Sequence, residues 1–404
     1  MNNINSSYID RGLKDWEIMT LDHVIEIFDS KRIPLSEIER AKRKGRYPYC
    51  GANGILDHID NYIFDGEYLL LAEDGGLYGK YEQSCYLMTG KFWVNNHAHI
   101  LQAIEAKSSN KFLLYLLNFM DLRTYIVGST RVKLNQEDLR KIRINLPPLP
   151  EQKKIAEILS TVDEAITQVD TAIEKTERLK KGLMQELLTK GIGHKQFKDT
   201  EIGSIPKEWE VKHLGDVTEI NKDAKDLPMD YPDHKFLYID IDSVENGTGK
   251  INQAREIMGR DAPSRARRVV YLNDVIMSTV RPYLKAFALI PKNYDGQICS
   301  TGFAVLTCKA YLIPQYLLCT LFSKVVIDQC NKMMIGGQYP ALNSEQVSKI
   351  TIPMPLLGEQ QQISDILANV DEKVEVLKTK KQKFEKIKKG LMDDLLTGAK
   401  KVKT

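Results

Sequence analysis

The sequence contains a long internal repeat, which limits the possible folds more than any other feature. The segment EQKKIAEILSTVDEAI, starting at Glu151, aligns with EQQQISDILANVDEKV, starting at Glu359. The offset of 208 residues (359 − 151) continues without a gap to KKGLMQELLT at Lys180 and KKGLMDDLLT at Lys388. About half of the aligned positions are identical. A repeat of this kind predicts two copies of one structural unit.

The repeat extends upstream of these segments. The same offset pairs three further landmarks, which are Gly128 with Gly336, Leu134-Asn135 with Leu342-Asn343, and KIRI at Lys141 with KITI at Lys349. Near the start of each half, WEIMTLDHVIEI from Trp16 matches WEVKHLGDVTEI from Trp209 with an offset of 193. The second half therefore has 15 additional residues (208 − 193) between these landmarks. Because the stretches inside them look unrelated, each half is predicted to be a shared frame around a private insert.

Each copy of the frame ends in a predicted amphipathic helix. Apolar residues recur in steps of four and three, which keeps them on one stripe. The stripe comprises Ile155, Leu159, Val162, Ile166, Val169, Ile173, Leu183 and Leu187 in the first copy, and Ile363, Leu367, Val370, Val374, Leu377, Phe384, Leu391 and Leu395 in the second. Lys180 and Lys388 interrupt it at equivalent positions. Proline-rich segments precede both helices, where proline can open a helix but not continue one.

The length of this stripe predicts that the two helices pair with each other. A helix from Glu151 to Thr189 would be roughly 60 Å long. A stripe so narrow and so long needs a partner helix, and each copy can serve the other. The alternative is that each helix packs on its own globular domain. The matched lengths and the shared lysine interruption favour mutual pairing.

The inserts are predicted to be mixed α/β domains dominated by a twisted sheet, which makes the chain α+β. Short alternating runs such as EYLLLAEDGG, KFWVNNHAHILQAI, DVIMSTV and KAFALIPKNYDG are bounded by turn residues and indicate strands. A short helix is expected over residues 109–122, with a counterpart over residues 314–330.

Charge is distributed locally, since the net charge is only +3. One basic cluster covers residues 31–46 and runs into Tyr47 and Tyr49, and a second covers residues 250–268. Such clusters can neutralise phosphates, with Arg, Asn and Gln available for base edges. The alternative is a solvated charged face. The presence of one cluster in each private insert favours nucleic acid.

The six cysteines include no CxxC pair and are expected to be reduced thiols, as in the cytoplasm. We find no export signal at the N-terminus and no apolar run long enough to span a bilayer.

Catalytic motifs are absent or degenerate. NLPPLP at Asn145 is not the Asn-Pro-Pro-aromatic loop of an adenine methyltransferase. Gly75 to Gly79-Lys80 has three intervening residues where a P-loop needs four, followed by Tyr81 instead of Ser or Thr.

Metal chemistry has little support. A nuclease could be argued from Glu105 and Lys107 with Asp65 or Asp74, but that motif is degenerate and not repeated. His97 and His99 would share one face of a strand, yet no third ligand is evident. A solvated or hydrogen-bonded pair is therefore expected, and no metal is predicted.

The LPPLPEQ segment, the helix after it, the KKGLMQELLT terminus and the repetition of all three resemble the specificity subunit of type I restriction-modification systems. Residues 47–76 and 274–290 also resemble segments of that family's target recognition domains. The resemblance covers nearly the whole chain. The second copy has Gly358 in place of Pro150, which affects only the entry to the helix.

The resemblance implies a division of labour. Residues 1–146 and 193–354 would be target recognition domains that each read one half of a split double-stranded DNA target. Residues 147–192 and 355–404 would be conserved helices forming an antiparallel coiled coil that sets the spacer. Two methyltransferase subunits would bring S-adenosylmethionine, and motor-nuclease subunits would bring ATP and Mg²⁺. The chain itself would bind no cofactor and catalyse neither reaction.

Candidate DNA-binding residues come from the inserts and from the frame. The frame residues lie at equivalent positions just before the strand that leads to each helix, where an ordinary turn is the alternative. The predicted set is Arg43, Arg46, Tyr49, Asn53, Arg131 and Lys133 in the first half, and Arg265, Arg267, Arg281, Tyr283, Gln338 and Tyr339 in the second.

Two other classes of function compete with this interpretation. The chain could itself be a catalytic endonuclease or methyltransferase, against which the missing motifs argue. It could also be a coiled-coil scaffold that binds only protein. Divergent basic inserts on a duplicated frame favour DNA.

Overall fold

The computed structural model describes residues 15–128, 132–334 and 341–402, and it shows the predicted α+β class. The chain forms two compact units. The first unit contains the residues up to Thr171 together with those from Lys378 onward, and the second contains Ala172–Leu377. Each unit therefore combines one globular part with one half of each long helix.

Ten α-helices lie in the described residues. In chain order they are α1 Glu37–Lys42, α2 Asn110–Phe119, α3 Gln136–Arg140, α4 Leu149–Lys190, α5 Leu214–Val217, α6 Leu227–Asp230, α7 Pro314–Leu321, α8 Lys324–Met333, α9 Ser344–Ser348 and α10 Leu357–Leu396. The helix expected over residues 314–330 is thus two helices. Ser323 caps the second of them by accepting a hydrogen bond from the Val326 N–H, which starts a new helix.

The strands are short except in the first insert. They are β1 Glu17–Thr20, β2 Ile25–Ile27, β3 Lys44–Gly51, β4 Gly54–Ile59, β5 Phe64–Ala72, β6 Cys85–Val94, β7 Ala98–Ala103, β8 Arg143–Leu146, β9 Phe197–Thr200, β10 Gly203–Pro206, β11 Glu210–His213, β12 Thr218–Ile220, β13 Lys235–Ile239, β14 Arg255–Met258, β15 Ala266–Val270, β16 Val275–Ser278, β17 Phe287–Leu289, β18 Gln297–Ser300, β19 Phe303–Cys308 and β20 Thr351–Met354.

The two inserts share a strand order despite their unrelated sequences. The first unit has one sheet in the order β2-β7-β5-β6-β3-β4. The second unit repeats its first four strands as β12-β19-β16-β17 and its last three as β18-β13-β14. The single parallel pairing also recurs, between β3 and β6 and between β13 and β18. The long hairpin β5–β6 is divided in the second unit, where β16 pairs with β17 and β15 pairs with β18.

Alternation along the central strands places a core on each face of each sheet. In the first unit Leu69 and Leu71 pack against α2, whereas Leu70 joins a second cluster with Phe92. In the second unit Val275 and Met277 pack against α7, and Ile276 faces the opposite cluster. Each sheet is therefore buried on both faces in its centre.

The frame holds each long helix against its globular part through the Glu-Gln dipeptide. The Trp16 indole N–H donates to Glu151 (3.2 Å), and the Trp209 indole N–H donates to Glu359 (2.9 Å). The following glutamine donates to the backbone carbonyl five residues before it, at 2.9 Å in both copies (Gln152 to Pro147 and Gln360 to Pro355). The repeated motif thus fixes the start of each helix.

The two long helices pair antiparallel within each unit. In the first unit Lys388 lies 2.6 Å from Asp163 and Lys381 lies 2.7 Å from Asp170. In the second unit Lys180 lies 2.5 Å from Asp371. The two residue numbers in every one of these pairs add up to 551, so both units share one register. The predicted mutual pairing is confirmed, and each lysine that interrupts the stripe forms a cross-helix ion pair.

None of the α-helices in the described ranges combines the length and apolar character needed to cross a membrane. The predicted domain boundaries at 146, 192 and 354 stay a prediction.

Candidate nucleic-acid interface

The first-half candidates do not form one patch. Arg43 and Arg46 lie at the start of the β3–β4 hairpin, and Asn53 lies in its turn. Seven residues of extended chain separate Arg46 from Asn53, which corresponds to roughly 20 Å. A single DNA base pair therefore cannot contact both ends of this hairpin.

Arg43 is engaged within the protein. Its guanidinium lies 2.8 Å from Asp60 and stacks over the Trp93 ring at 4.9 Å. Arg46 is exposed and hydrogen bonds to the Tyr47 hydroxyl (2.8 Å), a bond that raises the pKa of Arg46. Arg46 thus keeps its charge at the surface, whereas Arg43 would have to leave a carboxylate to bind DNA.

Tyr49 is a core residue, which corrects its assignment as a DNA contact. Only 1% of it is exposed, and its hydroxyl accepts a hydrogen bond from the Leu35 N–H (2.8 Å). The end of β3 is covered on both faces: Cys50 packs with Leu70 and Phe92 on one face, and Tyr49 packs with Ile59 and Trp93 on the other.

Asn53 and Lys133 both lie near the end of β5. The exposed Asn53 amide donates to the Gly75 carbonyl (2.9 Å). Lys133 lies 2.6 Å from the Glu73 carboxylate, while 45% of its side chain stays exposed. Arg131, the other frame candidate of this half, lies outside the described residues.

In the second unit the structure brings Arg265 close to the loop that follows β16. The Thr301 N–H donates to the Arg265 carbonyl (2.8 Å), and the Thr279 N–H donates to the carbonyl of Gly302 (2.8 Å). Arg265 is exposed, and so is Arg267, although the latter lies 3.3 Å from Asp226. The turn between β18 and β19 therefore joins the arginine-bearing strand to the Thr279 loop.

Arg281 and Tyr283 lie on that loop and are both exposed. Tyr283 has 45% of its surface exposed and belongs to a single turn of 3-10 helix, Pro282–Leu284. Arg281 has a backbone φ of +48°, in the left-handed region. Gln338 and Tyr339 lie outside the described residues.

Both basic clusters are partly neutralised by carboxylates within the protein. The pairs in the first cluster are Arg32–Glu73, Arg40–Asp57, Arg43–Asp60 and Lys44–Asp57, and those in the second are Lys250–Glu375, Arg260–Asp233 and Arg267–Asp226. The net positive potential of these segments is therefore smaller than a count of basic residues indicates.

An additional basic and aromatic group lies beside Arg46. The Tyr47 and Tyr62 rings are 5.1 Å apart, and Lys91 lies 4.6 Å from the Tyr62 ring. Sequence reasoning missed Tyr62 and Lys91, because they come from outside the basic cluster and reach Tyr47 only through the fold. Rings and cations together suit a backbone and base contact surface.

A buried ion network lies on the other side of the first sheet, where β2, β7 and β5 are neighbours. His99 Nδ1 lies 2.6 Å from Asp29, and Glu73 lies 2.5 Å from Arg32 and 2.6 Å from Lys133. Burial alone would raise the pKa of Asp29 and of Glu73. Hydrogen bonds and nearby positive charges together outweigh burial, so both pKa values are lowered. The main hydrogen bonds come from His99 to Asp29, and from Lys133 and Arg32 to Glu73.

Asp29, Glu73 and His99 are close enough to be considered for a metal. However, His99 Nε2 also lies 2.7 Å from the Leu134 carbonyl, so both of its ring nitrogens are engaged with oxygen acceptors. With Arg32 and Lys133 already on Glu73, the donor set suits an ion-pair network better than a cation site.

The predicted placement of His97 and His99 on one strand face is wrong, although both side chains are hydrogen-bonded, which was one of the two expected states. His97 lies in the turn before β7 and pairs with Asp74 (2.7 Å), whereas His99 points into the network. The suggested nuclease residues are also dispersed. Lys107 donates to the His23 carbonyl (3.0 Å), and Asp65 lies 3.9 Å from Lys91.

All sixteen predicted coiled-coil interface residues are at least partly buried. Eight are fully buried, which are Ile155, Leu159, Val169, Leu187, Ile363, Leu367, Val374 and Leu395, and the other eight are half-buried. By contrast, Leu179, Val376 and Ile387, which lie off the stripe, are exposed by 56%, 60% and 49%. The stripe therefore faces protein along its whole length.

Comparisons with known sequences all match this chain to specificity proteins of type I restriction-modification systems. The family model described as type I restriction modification DNA specificity domain matches residues 13–178 and 206–386. The type I restriction enzyme MjaVIII specificity subunit of Methanocaldococcus jannaschii is 28% identical, over 96% of this chain and 94% of its own. The type I restriction enzyme EcoDI specificity subunit of Escherichia coli is 25% identical, over 86% of this chain and 80% of its own.

A solved structure resembles the fold. The crystal structure of the type I restriction-modification system S subunit from M. genitalium matches with a TM-score of 0.60 at 16% identity, covering 96% of this chain and 97% of that one.

Proposed function

The chain belongs to the family of type I restriction-modification DNA specificity subunits, and from this premise we propose that its two units read the two halves of one bipartite DNA target. Each unit would bind one half-site on double-stranded DNA, and the paired helices would set the number of unread base pairs between them. Two methyltransferase subunits would bind the frame, and motor-nuclease subunits would join the complex.

The observation that carries this proposal is the duplicated frame with its shared register. Lys180–Asp371 and Lys388–Asp163 are equivalent under the 208-residue repeat, and both pairs join the two long helices. The sheets of the two units have the same strand order but different surface residues. A common scaffold with two different surfaces is what a reader of an asymmetric, two-part sequence requires.

We propose that the chain performs no chemistry of its own. S-adenosylmethionine would be bound by the methyltransferase subunits, and ATP and Mg²⁺ by the motor-nuclease subunits. This is supported by Glu73 and Asp29, whose carboxylates are engaged by Arg32, Lys133 and His99. Incubating the purified chain with DNA, Mg²⁺ and S-adenosylmethionine should give neither cleavage nor methyl transfer, and either product would make the chain an enzyme.

The central test is a map of methylated adenines in cells that express the methyltransferase subunits with and without this chain. We expect a two-part methylated sequence that disappears without the chain. A protein-binding scaffold would leave the methylated sequence unchanged.

Binding to a duplex that carries this sequence should weaken steeply with salt, because phosphate contacts release counterions. A salt-independent affinity would contradict the proposed DNA interface.

A further inference from the structure

The loops that follow β5 and β16 are structural equivalents, although their sequences are unrelated. The Leu134 N–H donates to the Glu73 carbonyl (2.8 Å), and the Leu342 N–H donates to the Thr279 carbonyl (2.9 Å). Leu134 and Leu342 are partners in the 208-residue repeat. Glu73 therefore corresponds to Thr279, which lies 206 residues later.

Two further contacts support this alignment. Asp74 forms an isolated bridge with Lys133, and Val280 forms one with Ala341. Lys133 and Ala341 are again 208 residues apart. The loops of residues 74–77 and 280–283 thus leave the sheet at the same point of the shared frame.

The next position in both loops has a left-handed backbone. Gly75 has a φ of +64° and Arg281 has a φ of +48°. Glycine adopts this conformation freely, whereas in an L-residue the Cβ crowds the following carbonyl. The first unit uses the residue that suits the backbone, and the second unit keeps an arginine at a cost in local strain. Strain of this kind occurs most often where a side chain serves a function.

Both loops present an apolar side chain two residues further on. Leu77 is exposed by 58% and Tyr283 by 45%. The backbone around Arg281 is constrained, because Pro282 follows it and Lys285 closes the turn with a φ of +58°. Arg281 is exposed on this turn, so its guanidinium can reach a base edge, and arginine binds the O6 and N7 atoms of guanine with two hydrogen bonds.

We propose that these equivalent loops are the base-reading loops of the two units and that Arg281 specifies a guanine in the second half-site. Gly75 leaves the first unit without a side chain at that position, so the first half-site is read there by neighbouring groups such as Asn53. This inference rests on the proposed function, since it assigns the residue that gives one half-site its sequence.

The test is a methylation map for Arg281→Gly in the complex with the methyltransferase subunits. Glycine suits the left-handed backbone, so the loop should keep its shape while the guanidinium is lost. We expect discrimination at one G·C position of the second half-site to fall by roughly 5-fold to 150-fold, with the first half-site unchanged. Arg281→Lys should not restore it, because an ammonium lacks the bidentate fork.

A reciprocal variant, Gly75→Arg, decides the question independently. A Cβ at residue 75 meets no atom within 4 Å, so the substitution causes no clash at that atom, and its left-handed backbone imposes the strain that Arg281 already tolerates in the second unit. We expect a new base preference in the first half-site only. Unchanged preferences in both variants would overturn the role of these loops while leaving the proposed function intact. If the parent complex showed no two-part methylated sequence, the proposed function itself would fail.

Discussion

The ammonium group of Lys388 lies 2.6 Å from the carboxylate of Asp163 on the facing helix. The residues at the equivalent positions of the repeat, Lys180 and Asp371, form the same contact at 2.5 Å. Lys180 and Lys388 are equivalent under the 208-residue repeat, and so are Asp163 and Asp371. The two lysines that interrupt the apolar stripe therefore pair with equivalent aspartates on the facing helix, which fixes the register of the helices.

Reversing one charge of this pair should destabilise the protein. Lys388→Asp places two carboxylates together at a site where the side chains are only 29% and 38% exposed. We expect a loss of about 1 kcal/mol in the free energy of unfolding, measured by urea denaturation, and recovery of most of it in the double variant Asp163→Lys/Lys388→Asp.

Lys141→Asp is the matched control. Lys141 pairs with Glu137 at the exposed surface, so this reversal should change the free energy of unfolding much less than Lys388→Asp does. A double variant no more stable than Lys388→Asp would contradict the register.

Removing the Glu359 carboxylate should loosen the second helix from its globular part. This carboxylate accepts hydrogen bonds from the Trp209 indole and the Ile192 N–H, both at 2.9 Å. Glu359→Ala leaves the indole N–H of the buried Trp209 without its acceptor, so we expect a loss of about 2 kcal/mol in urea denaturation followed by tryptophan fluorescence. Glu208→Ala is the control, because Glu208 and Glu359 both contact His194 (3.1 and 2.9 Å) but Glu208 is 61% exposed, and it should change stability by less than about 0.5 kcal/mol. Equal losses in the free energy of unfolding of the two variants would contradict a specific stabilising role of the Glu359 contacts.

The buried ion network makes the first unit sensitive to acid. The pKa of Asp29 is lowered from its ordinary 3.8. Burial acts in the opposite direction, but the hydrogen bonds from His99 and the Ile100 N–H and the charges of His99 and Arg32 together outweigh it. A carboxyl whose pKa is lower in the folded state stabilises the fold above pH 3.8, and this contribution is lost as the pH falls through the folded-state pKa. The pKa of Glu73 is lowered from 4.5, so its loss begins at a slightly higher pH.

We therefore expect Asp29→Asn to be less stable than the parent at pH 7, by roughly 2 kcal/mol, and to lose less additional stability between pH 5 and pH 3. Glu137→Gln removes an exposed carboxylate whose pKa is lowered by Lys141 alone, so its stability curve should stay much closer to that of the parent than the Asp29→Asn curve does. Parallel stability curves for Asp29→Asn and the parent would exclude this role of the network.

The cysteines should react slowly with alkylating agents in the folded protein. Burial raises the pKa of Cys50, Cys299 and Cys330 to about 12 and that of Cys319 to about 11, so little thiolate is present at pH 8. Mass spectrometry after iodoacetamide treatment should detect modification of these residues only after denaturation. Rapid modification of any of them in the native protein would contradict the burial of that thiol.

The helices and the repeat could be predicted because their signal is local and periodic. The spacing of Ile155, Leu159 and Val162 is enough to predict the apolar stripe, and the segment that begins at Glu359 repeats it. The common strand order of the inserts could not be predicted, because it depends on which strands pair, and pairing partners such as β3 and β6 are far apart in the chain.

The candidate interface was harder to predict for the same reason. Arg43 and Asp60 are 17 residues apart, and Arg267 and Asp226 are 41 apart, so a basic run gives no sign that carboxylates elsewhere neutralise it. The sequence position of Tyr49 next to a basic cluster suggested an aromatic contact, but the fold covers both faces of β3 there and buries it. The left-handed backbone of Arg281 has no sequence signal at all.

A matched insertion in both long helices tests directly whether their length sets the spacer between the half-sites. Four residues would be inserted between Thr171 and Ala172 and four between Thr379 and Lys380, two points that face each other in the antiparallel register. Four residues are one step of the apolar stripe and lengthen the pair by about 6 Å, or one to two base pairs of DNA. We expect the methylated sequence to keep both half-sites and to gain one to two base pairs in its spacer. An active complex with an unchanged spacer would contradict the role of the helices in setting this distance.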